Sequence, residues 1–172
     1  MRNDGFLRLA DAYFIKSDYG KALESYEEAM KMGLIEMPYA TYQAAIASGL
    51  QGANEDKAEL LKLLVDTYDN SDYTDDALAE LAKTQLIFNN PDDALSNYQR
   101  LISDYPSSSY MSEALLKRGL IYYNKKQDDL ALASFDKVIT DYGSSRNAKE
   151  ALERIRKIYV DKGDVTAFEE YI

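Results

Sequence analysis

Two stretches of the chain carry nearly the same five-residue motif: Asp104-Tyr105-Pro106-Ser107-Ser108 and, 37 residues later, Asp141-Tyr142-Gly143-Ser144-Ser145. The same interval counted back from Tyr105 reaches Tyr68. A period between about 20 and 50 residues is typical of solenoids, in which each unit buries its apolar face only by stacking on its neighbours. Between the copies, apolar residues recur every three and four positions, which is helical spacing. The repeated motif and the helical spacing together predict an all-α fold of repeated helix pairs.

Aligning the units at this interval reveals columns of equivalent positions. Small residues recur at the middle of each first helix, and bulky residues recur in the second helices. The columns are Ala10, Ala45, Ala82 and Gly119 on the first helices, and Tyr26, Leu61, Tyr98 and Phe135, then Leu64, Leu101 and Val138, then Ala22, Ala94 and Ala131 on the second. Small residues facing bulky ones allow an antiparallel pair to pack closely. Lys57 interrupts the last column, which predicts loose packing in the second unit.

The composition excludes several classes of function. The chain has 20 basic and 30 acidic residues among 172, a formal charge of −10. Nucleic-acid binding and docking on anionic lipid both need a positive surface, so neither is expected. The chain has no cysteine and no histidine, which removes the commonest general base and the commonest soft metal ligands. It has no apolar run long enough for a membrane span. The sequence predicts no catalytic residue, no cofactor site and no metal site.

Several polar and aromatic residues are predicted to mark helix ends. Asp18 is expected to cap the second helix, and Asn90-Pro91 is expected to open the sixth. Pairs of aspartates lie where the first turn of a helix is predicted, so we interpret them as dipole partners and not as cation ligands. They are Asp75-Asp76, Asp92-Asp93 and Asp128-Asp129. The repeated tyrosines Tyr68, Tyr105 and Tyr142 are expected to close the second helices.

The first unit reads Phe6-x-x-Leu9-Ala10-x-x-Tyr13, followed by Ala22, Tyr26 and Ala29. This pattern resembles the tetratricopeptide repeat, with Phe in place of Trp. The resemblance implies a right-handed superhelical solenoid of antiparallel helix pairs. The third and fourth units are similar to the repeats of the Tol-Pal coordinator C-terminal domain, of the outer-membrane-assembly lipoprotein and of Bacteroidetes-type envelope proteins. That similarity implies a place in the periplasm or cell envelope.

The resemblance divides the chain into units of one array, 1–172. Their bounds are about 4–36, 37–71, 72–108 and 109–145, with a partial fifth unit at 146–172. We expect the chain to be a fragment of a longer repeat protein, with no apolar signal segment before Phe6. Leu7 and Tyr171-Ile172 are expected to lack neighbours at the two ends, and Phe168 replaces a small residue in the last pair.

In this family the first helices line a concave groove, so the resemblance also implies a binding surface. The predicted partner groove consists of Phe14, Tyr42, Ile46, Lys83, Leu86, Leu116, Leu120 and Tyr123. A contiguous apolar patch of this kind usually marks a binding surface. The alternative is that these residues form the contacts between successive first helices. The clamp that grips acidic chaperone C-termini is not expected. On the stripe of first-helix positions that faces the groove, which extends into the fifth unit, only Lys83 and Lys157 are basic.

These features favour a non-enzymatic scaffold that binds a protein or peptide segment in the groove. The identity of the partner stays open, and no nucleic acid or membrane insertion is expected. The alternative is a structural spacer, or a segment that self-associates through exposed array ends. An enzyme is the third hypothesis, and no group of residues supports it.

Overall fold

The computed structural model describes residues 3–33 and 36–171, in which helices joined by short turns are the only regular elements. The helices are α1 Asn3–Ile15, α2 Tyr19–Lys31, α3 Met37–Leu50, α4 Asn54–Thr67, α5 Thr74–Ile87, α6 Pro91–Asp104, α7 Met111–Asn124, α8 Asp128–Tyr142, α9 Arg146–Asp161 and α10 Val165–Tyr171. The predicted all-α fold of helix pairs is confirmed.

The helices group into two compact units, Met1–Ala94 and Leu95–Ile172, which are described separately. In the first unit α1 packs on α2, α2 on α3, α3 on α4 and α4 on α5. In the second unit α7 packs on α8, α8 on α9 and α9 on α10. The organisation of all repeats as one array stays a prediction.

Helix starts follow the capping signals of the sequence. The carboxylate of Asp18 accepts the backbone N–H of Lys21 at 3.5 Å, and the hydroxyl of Ser145 accepts that of Ala148 at 3.0 Å. Helix α6 begins at Pro91. The three aspartate pairs lie in the first turns of α5, α6 and α8, where carboxylates stabilise the positive end of the helix dipole.

The predicted columns form the core. All their members apart from Lys57 are buried, and the bulky column Tyr26, Leu61, Tyr98 and Phe135 is at most 1% exposed. In the second unit, Gly119 of α7 lies directly against the ring of Phe135 of α8. Contact between a small residue and a bulky one, which the alignment predicted, therefore holds this pair together.

Lys57 does not loosen the second repeat, so that expectation was wrong. Its stem fills space that Gly49 leaves open, because a Cβ at Gly49 would lie 2.7 Å from Lys57 Cδ. Its ammonium group donates to Glu80 Oε2 at 2.7 Å, joining α4 to α5. Burial raises the pKa of Glu80, but the hydrogen bonds and charges of Lys57 and Lys83 together outweigh burial and lower that pKa. A long side chain thus packs where an alanine was expected.

The ends of the chain are also better covered than expected. Leu7 is 6% exposed and belongs to the core of the first unit. Near the other end, the hydroxyl of Tyr171 donates to Asp136 Oδ1 at 2.9 Å, and its ring stacks on Phe168 at 6.5 Å. Leu7 and Tyr171 therefore have neighbours, and Phe168 helps to cover the last helix pair. Ile172 lies outside the described residues.

One backbone position recurs in the turn between the two helices of every repeat. The residue there has a positive φ, between 58° and 83°, in all five repeats: Ser17, Gly52, Asn89, Lys126 and Gly163. This left-handed conformation ends a helix and starts the return of the chain. Glycine adopts it without strain, whereas a residue with a Cβ pays about 1 to 2 kcal/mol.

We expect opposite effects from exchanging residues at this turn position. Gly52→Ala should lower the free energy of unfolding by about 1 kcal/mol, because a Cβ there meets no atom within 4 Å and only backbone strain changes. Ser17→Gly should raise it by about 0.5 kcal/mol, since glycine relieves the same strain. Urea unfolding followed by circular dichroism measures both. A shift in the same direction for both variants would contradict this explanation of the turn.

Candidate partner-binding surface

Three tyrosines of the first unit form an aromatic platform, defined as Tyr39, Tyr42 and Tyr73. The rings of Tyr42 and Tyr73 stack with centroids 5.8 Å apart and planes inclined by 27°. The ring centroid of Tyr39 lies 5.6 Å from that of Tyr73, with the two planes inclined by 54°. Tyr39 and Tyr42 are three residues apart on α3, so helical geometry presents both on one face. Tyr73 precedes α5 and is flanked by both rings.

Hydrogen bonds fix the platform to the helices below it. The hydroxyl of Tyr39 donates to Asp11 Oδ1 at 2.6 Å, and the hydroxyl of the buried Tyr26 donates to the same oxygen at 2.6 Å. Burial, followed by the bond to Asp11, raises the pKa of Tyr39 to about 12. The same two causes raise the pKa of Tyr26 still further. One carboxylate of α1 therefore orients tyrosines of α2 and α3.

The loop before α5 is held by its own polar side chains. The hydroxyl of the buried Thr74 donates to the carbonyl of Tyr68 at 2.7 Å. The backbone N–H of Tyr73 donates to Ser71 Oγ at 3.3 Å. These bonds satisfy backbone groups that follow the end of α4, so the loop has a defined course. The ring of Tyr73 is thereby presented to the platform.

A cavity of about 550 Å³ opens beside the platform. Its lining comes from the start of α3 and from the loop between α4 and α5, and consists of Glu36, Pro38, Tyr39, Asn70, Ser71, Asp72 and Tyr73. Aromatic rings and a proline supply apolar walls, while two carboxylates, an amide and a hydroxyl supply polar contacts. A concave, mostly preformed site with a few polar groups is the usual form of a binding pocket.

The groove residues predicted in the first unit have different surroundings. Tyr42 belongs to the platform. Phe14 packs edge-on against Tyr19, with ring centroids 5.4 Å apart, and against the core of the unit. Lys83 donates to Glu80 Oε1 at 3.2 Å. Ile46 and Leu86 are half-buried on α3 and α5. As a partner surface, this set stays a prediction.

In the second unit, one residue of the predicted groove is buried in the core. Leu116 is 3% exposed, so its assignment to an open surface is corrected: its side chain is packed inside the unit. The hydroxyl of Tyr123 donates to Asp161 Oδ2 at 3.0 Å, which ties α7 to α9. Tyr123 therefore contacts the next first helix, α9. Leu120 is half-buried.

Tyr39 and Tyr73 were absent from the predicted groove. That prediction counted positions from the middle of each first helix, whereas both tyrosines lie near the helix starts. A signal was present, because Tyr73 and Tyr110 stand 37 residues apart and each directly precedes a first helix. The periodicity of the tyrosines would have identified Tyr73 as a repeat position.

Among the residues that the structure describes, no group of three or more carboxylate side chains is arranged to hold a metal ion. In the same part of the chain, no helix combines the length and the apolarity that a bilayer crossing requires.

Two family models, each described as tetratricopeptide repeat, match the chain. One matches residues 4–32, and the other matches residues 76–108 and 113–145. These segments cover 29, 33 and 33 residues, more than half of the 172-residue chain. A comparison with curated protein sequences gives no match.

Several solved structures share the fold at low sequence identity. The crystal structure of MamA is 21% identical, with a TM-score of 0.77 over 95% of this chain and 90% of that one. A tetratricopeptide repeat protein from Parabacteroides merdae is 18% identical, with a TM-score of 0.82 over 98% of this chain and 64% of that one. YrrB, described as a TPR protein with an unusual peptide-binding site, is 17% identical, with a TM-score of 0.72 over 92% and 77%.

Proposed function

Because this chain belongs to the tetratricopeptide repeat family, we propose that it is a non-enzymatic scaffold that binds a segment of a partner protein. The binding surface is the aromatic platform of the first unit together with the cavity beside it. The peptide-binding site described for YrrB supports a peptide as the kind of ligand. The same fold serves many unrelated partners, so the site and not the fold has to carry the assignment.

The observation that carries the proposal is the position of Tyr73, which stacks on Tyr42 and also lines the cavity. Tyrosines supply a large contact area at a low cost in conformational entropy, and they are enriched among the residues that dominate binding energy. Because Asp11 and the loop hydrogen bonds already hold the platform, little ordering is needed when a partner binds. Glu36 and Asp72 give the cavity a negative rim, so a segment with an apolar side chain beside a lysine or arginine fits best.

We expect Tyr42→Ala to weaken the partner about 30-fold, because truncating a central aromatic contact costs about 2 kcal/mol. The partner is a protein that copurifies with the wild-type chain from its own cells, and calorimetry with the purified pair gives the affinity. Ile15→Ala is the matched control, since Ile15 is an exposed apolar residue of the same unit outside the platform. Its affinity should equal that of the wild type.

Leu120→Asp tests the competing surface on α7. If binding is lost with Leu120→Asp and kept with Tyr42→Ala, the second unit holds the surface and the platform assignment is wrong. If both variants bind the partner with wild-type affinity and keep a helical circular dichroism spectrum, neither the platform nor the surface around Leu120 binds the partner.

We also propose the bacterial cell envelope or periplasm as the location. The support is the similarity of the third and fourth units to envelope repeat proteins, and fractionation of the source cells tests it. A spacer or self-associating segment is the alternative function. Light scattering over a concentration series separates the two forms of that alternative, because only self-association raises the mass with concentration.

A further inference from the structure

A second concave surface lies on the first unit, away from the platform residues. The α2–α4 cleft is defined by Leu23 and Glu27 of α2 and by Asp56, Glu59, Leu60 and Leu63 of α4. Its volume is about 380 Å³, and the buried Ser48 of α3 also lines it. The cleft uses the second helices of two repeats, whereas the platform uses one first helix, α3, and the loop before α5.

The cleft has an apolar centre. Leu23 and Leu60 are half-buried and pack against the core of the unit, and Leu63 is 45% exposed. On α4 the lining residues follow each other at spacings of three, one and three, which places them along one face of that helix. The cleft therefore runs along a helix axis between two helices. A groove of this shape accepts the apolar face of a third helix.

The rim of the cleft is acidic, and the lining includes no lysine or arginine. Glu27, Asp56 and Glu59 are exposed, and within the described part of the chain none of the three forms an ion pair.

The lysines of α2 and α4 are all engaged by other carboxylates. Lys21 pairs with Asp18 at 2.8 Å, Lys31 with Glu28 at 2.7 Å, Lys57 with Glu80 at 2.7 Å and Lys62 with Asp66 at 2.5 Å. Lys31 also interacts electrostatically with Glu27 of the same helix, so the charge of Glu27 is partly offset. Asp56 and Glu59 of α4 therefore carry most of the negative charge at the cleft. Three leucines beside three exposed carboxylates complement an apolar segment of opposite charge.

We propose that the α2–α4 cleft binds a cationic amphipathic helix of a partner protein. Such a helix places leucine-like side chains, spaced three and four residues apart, on Leu23, Leu60 and Leu63. Its lysines or arginines meet Glu27, Asp56 and Glu59. An anionic membrane surface or a nucleic acid is repelled by the same carboxylates. The proposal does not depend on the platform, because the two surfaces share no residue.

The test uses a labelled peptide of about 18 residues that contains only leucine and lysine, arranged as an amphipathic helix. Fluorescence anisotropy at about 150 mM salt reports its affinity for the whole chain. A peptide with the same leucines and glutamate in place of lysine should not bind. A scrambled leucine–lysine peptide without an apolar face should bind at least about tenfold more weakly than the patterned one.

Matched charge variants separate the cleft from general attraction to an acidic protein. Asp56→Asn combined with Glu59→Gln should weaken the patterned peptide about tenfold. Glu24→Gln combined with Glu55→Gln removes the same amount of charge from the same two helices outside the cleft lining, and should change the affinity less than about twofold. Leu63→Ala should also lower the affinity for the peptide. Because Leu63 is 45% exposed, the variant should keep the fold, which thermal unfolding checks.

Equal effects of the two charge pairs, or equal binding of the patterned and scrambled peptides, would overturn the proposal, because attraction would then be unspecific. If the chain alone forms a dimer and Leu63→Ala makes that dimer dissociate, a second copy of the chain occupies the cleft, and the proposal is likewise overturned.

Discussion

Gly119→Leu is expected to lower the free energy of unfolding by at least about 3 kcal/mol, because the space beside Gly119 is already filled. A Cβ at this position would meet Phe135 Cε1 and would lie 2.7 Å from Cδ1, closer than non-bonded carbons approach. Phe135 is fully buried, so its ring has little room to move. Gly119→Ala should cost about 1 kcal/mol net, since the clash outweighs the better helix propensity of alanine. Chemical denaturation followed by circular dichroism measures both variants.

Gly5→Ala is the matched control for this effect. Gly5 is also helical, but a Cβ there meets no atom within 4 Å, so this variant should lose no stability. Phe135→Leu in the Gly119→Ala background should cost less than the two single changes together, because the smaller side chain removes the clash. Equal stability of Gly119→Ala and Gly5→Ala would show that the close contact is not what holds α7 to α8.

Asp11→Ala is expected to lower the free energy of unfolding by about 2 to 4 kcal/mol. Both Tyr26 and Tyr39 donate to its Oδ1, and the hydroxyl of Tyr26 is buried and would lose its charged acceptor. A buried polar group without a partner costs more than the bond itself contributes. Tyr26→Phe and Tyr39→Phe should each lose part of this stability. Tyr13 lies on the same helix as Asp11, and the ammonium group of Lys21 lies over its ring at 5.4 Å. Tyr13→Phe keeps that ring and should change the free energy of unfolding by less than about 0.5 kcal/mol.

The same cluster predicts a dependence of stability on alkaline pH. The folded pKa of Tyr39, about 12, lies above the ordinary value of 10.0, so its contribution is complete below pH 10 and is lost as the pH rises through 12. The wild-type chain should therefore lose more stability between these pH values than Tyr39→Phe. An identical pH profile for the two proteins would contradict the burial and hydrogen bonding that raise the pKa of Tyr39.

The periodic part of the fold was predictable from the sequence. Its apolar spacing is helical, and the aligned columns identify positions such as Ala82 and Phe135 that every repeat must bury. Cap residues act locally, so Asp18 and Pro91 predicted helix starts to within a residue or two. These signals involve neighbours in the chain or one repeat away, and the alignment detects both.

The side-chain environment of single positions was less predictable. Lys57 was expected to disturb its column, but Gly49 on α3 and Glu80 on α5 accommodate it. Leu116 was assigned to an open surface and is buried. In each case the outcome depends on residues from other helices, whose approach is set by packing and not by the local pattern.

The sequence by itself determined the repeat, the helix pairs and the residues that form their core, because a strict period in apolar and small residues leaves few other ways to bury them. Only the tertiary structure decided which side chains remain on the surface and meet there. The platform joins Tyr39 and Tyr42 of one helix to Tyr73 before another, and the α2–α4 cleft joins residues more than thirty positions apart. Such surfaces arise from the angle and depth at which helices pack, and no local pattern encodes those quantities.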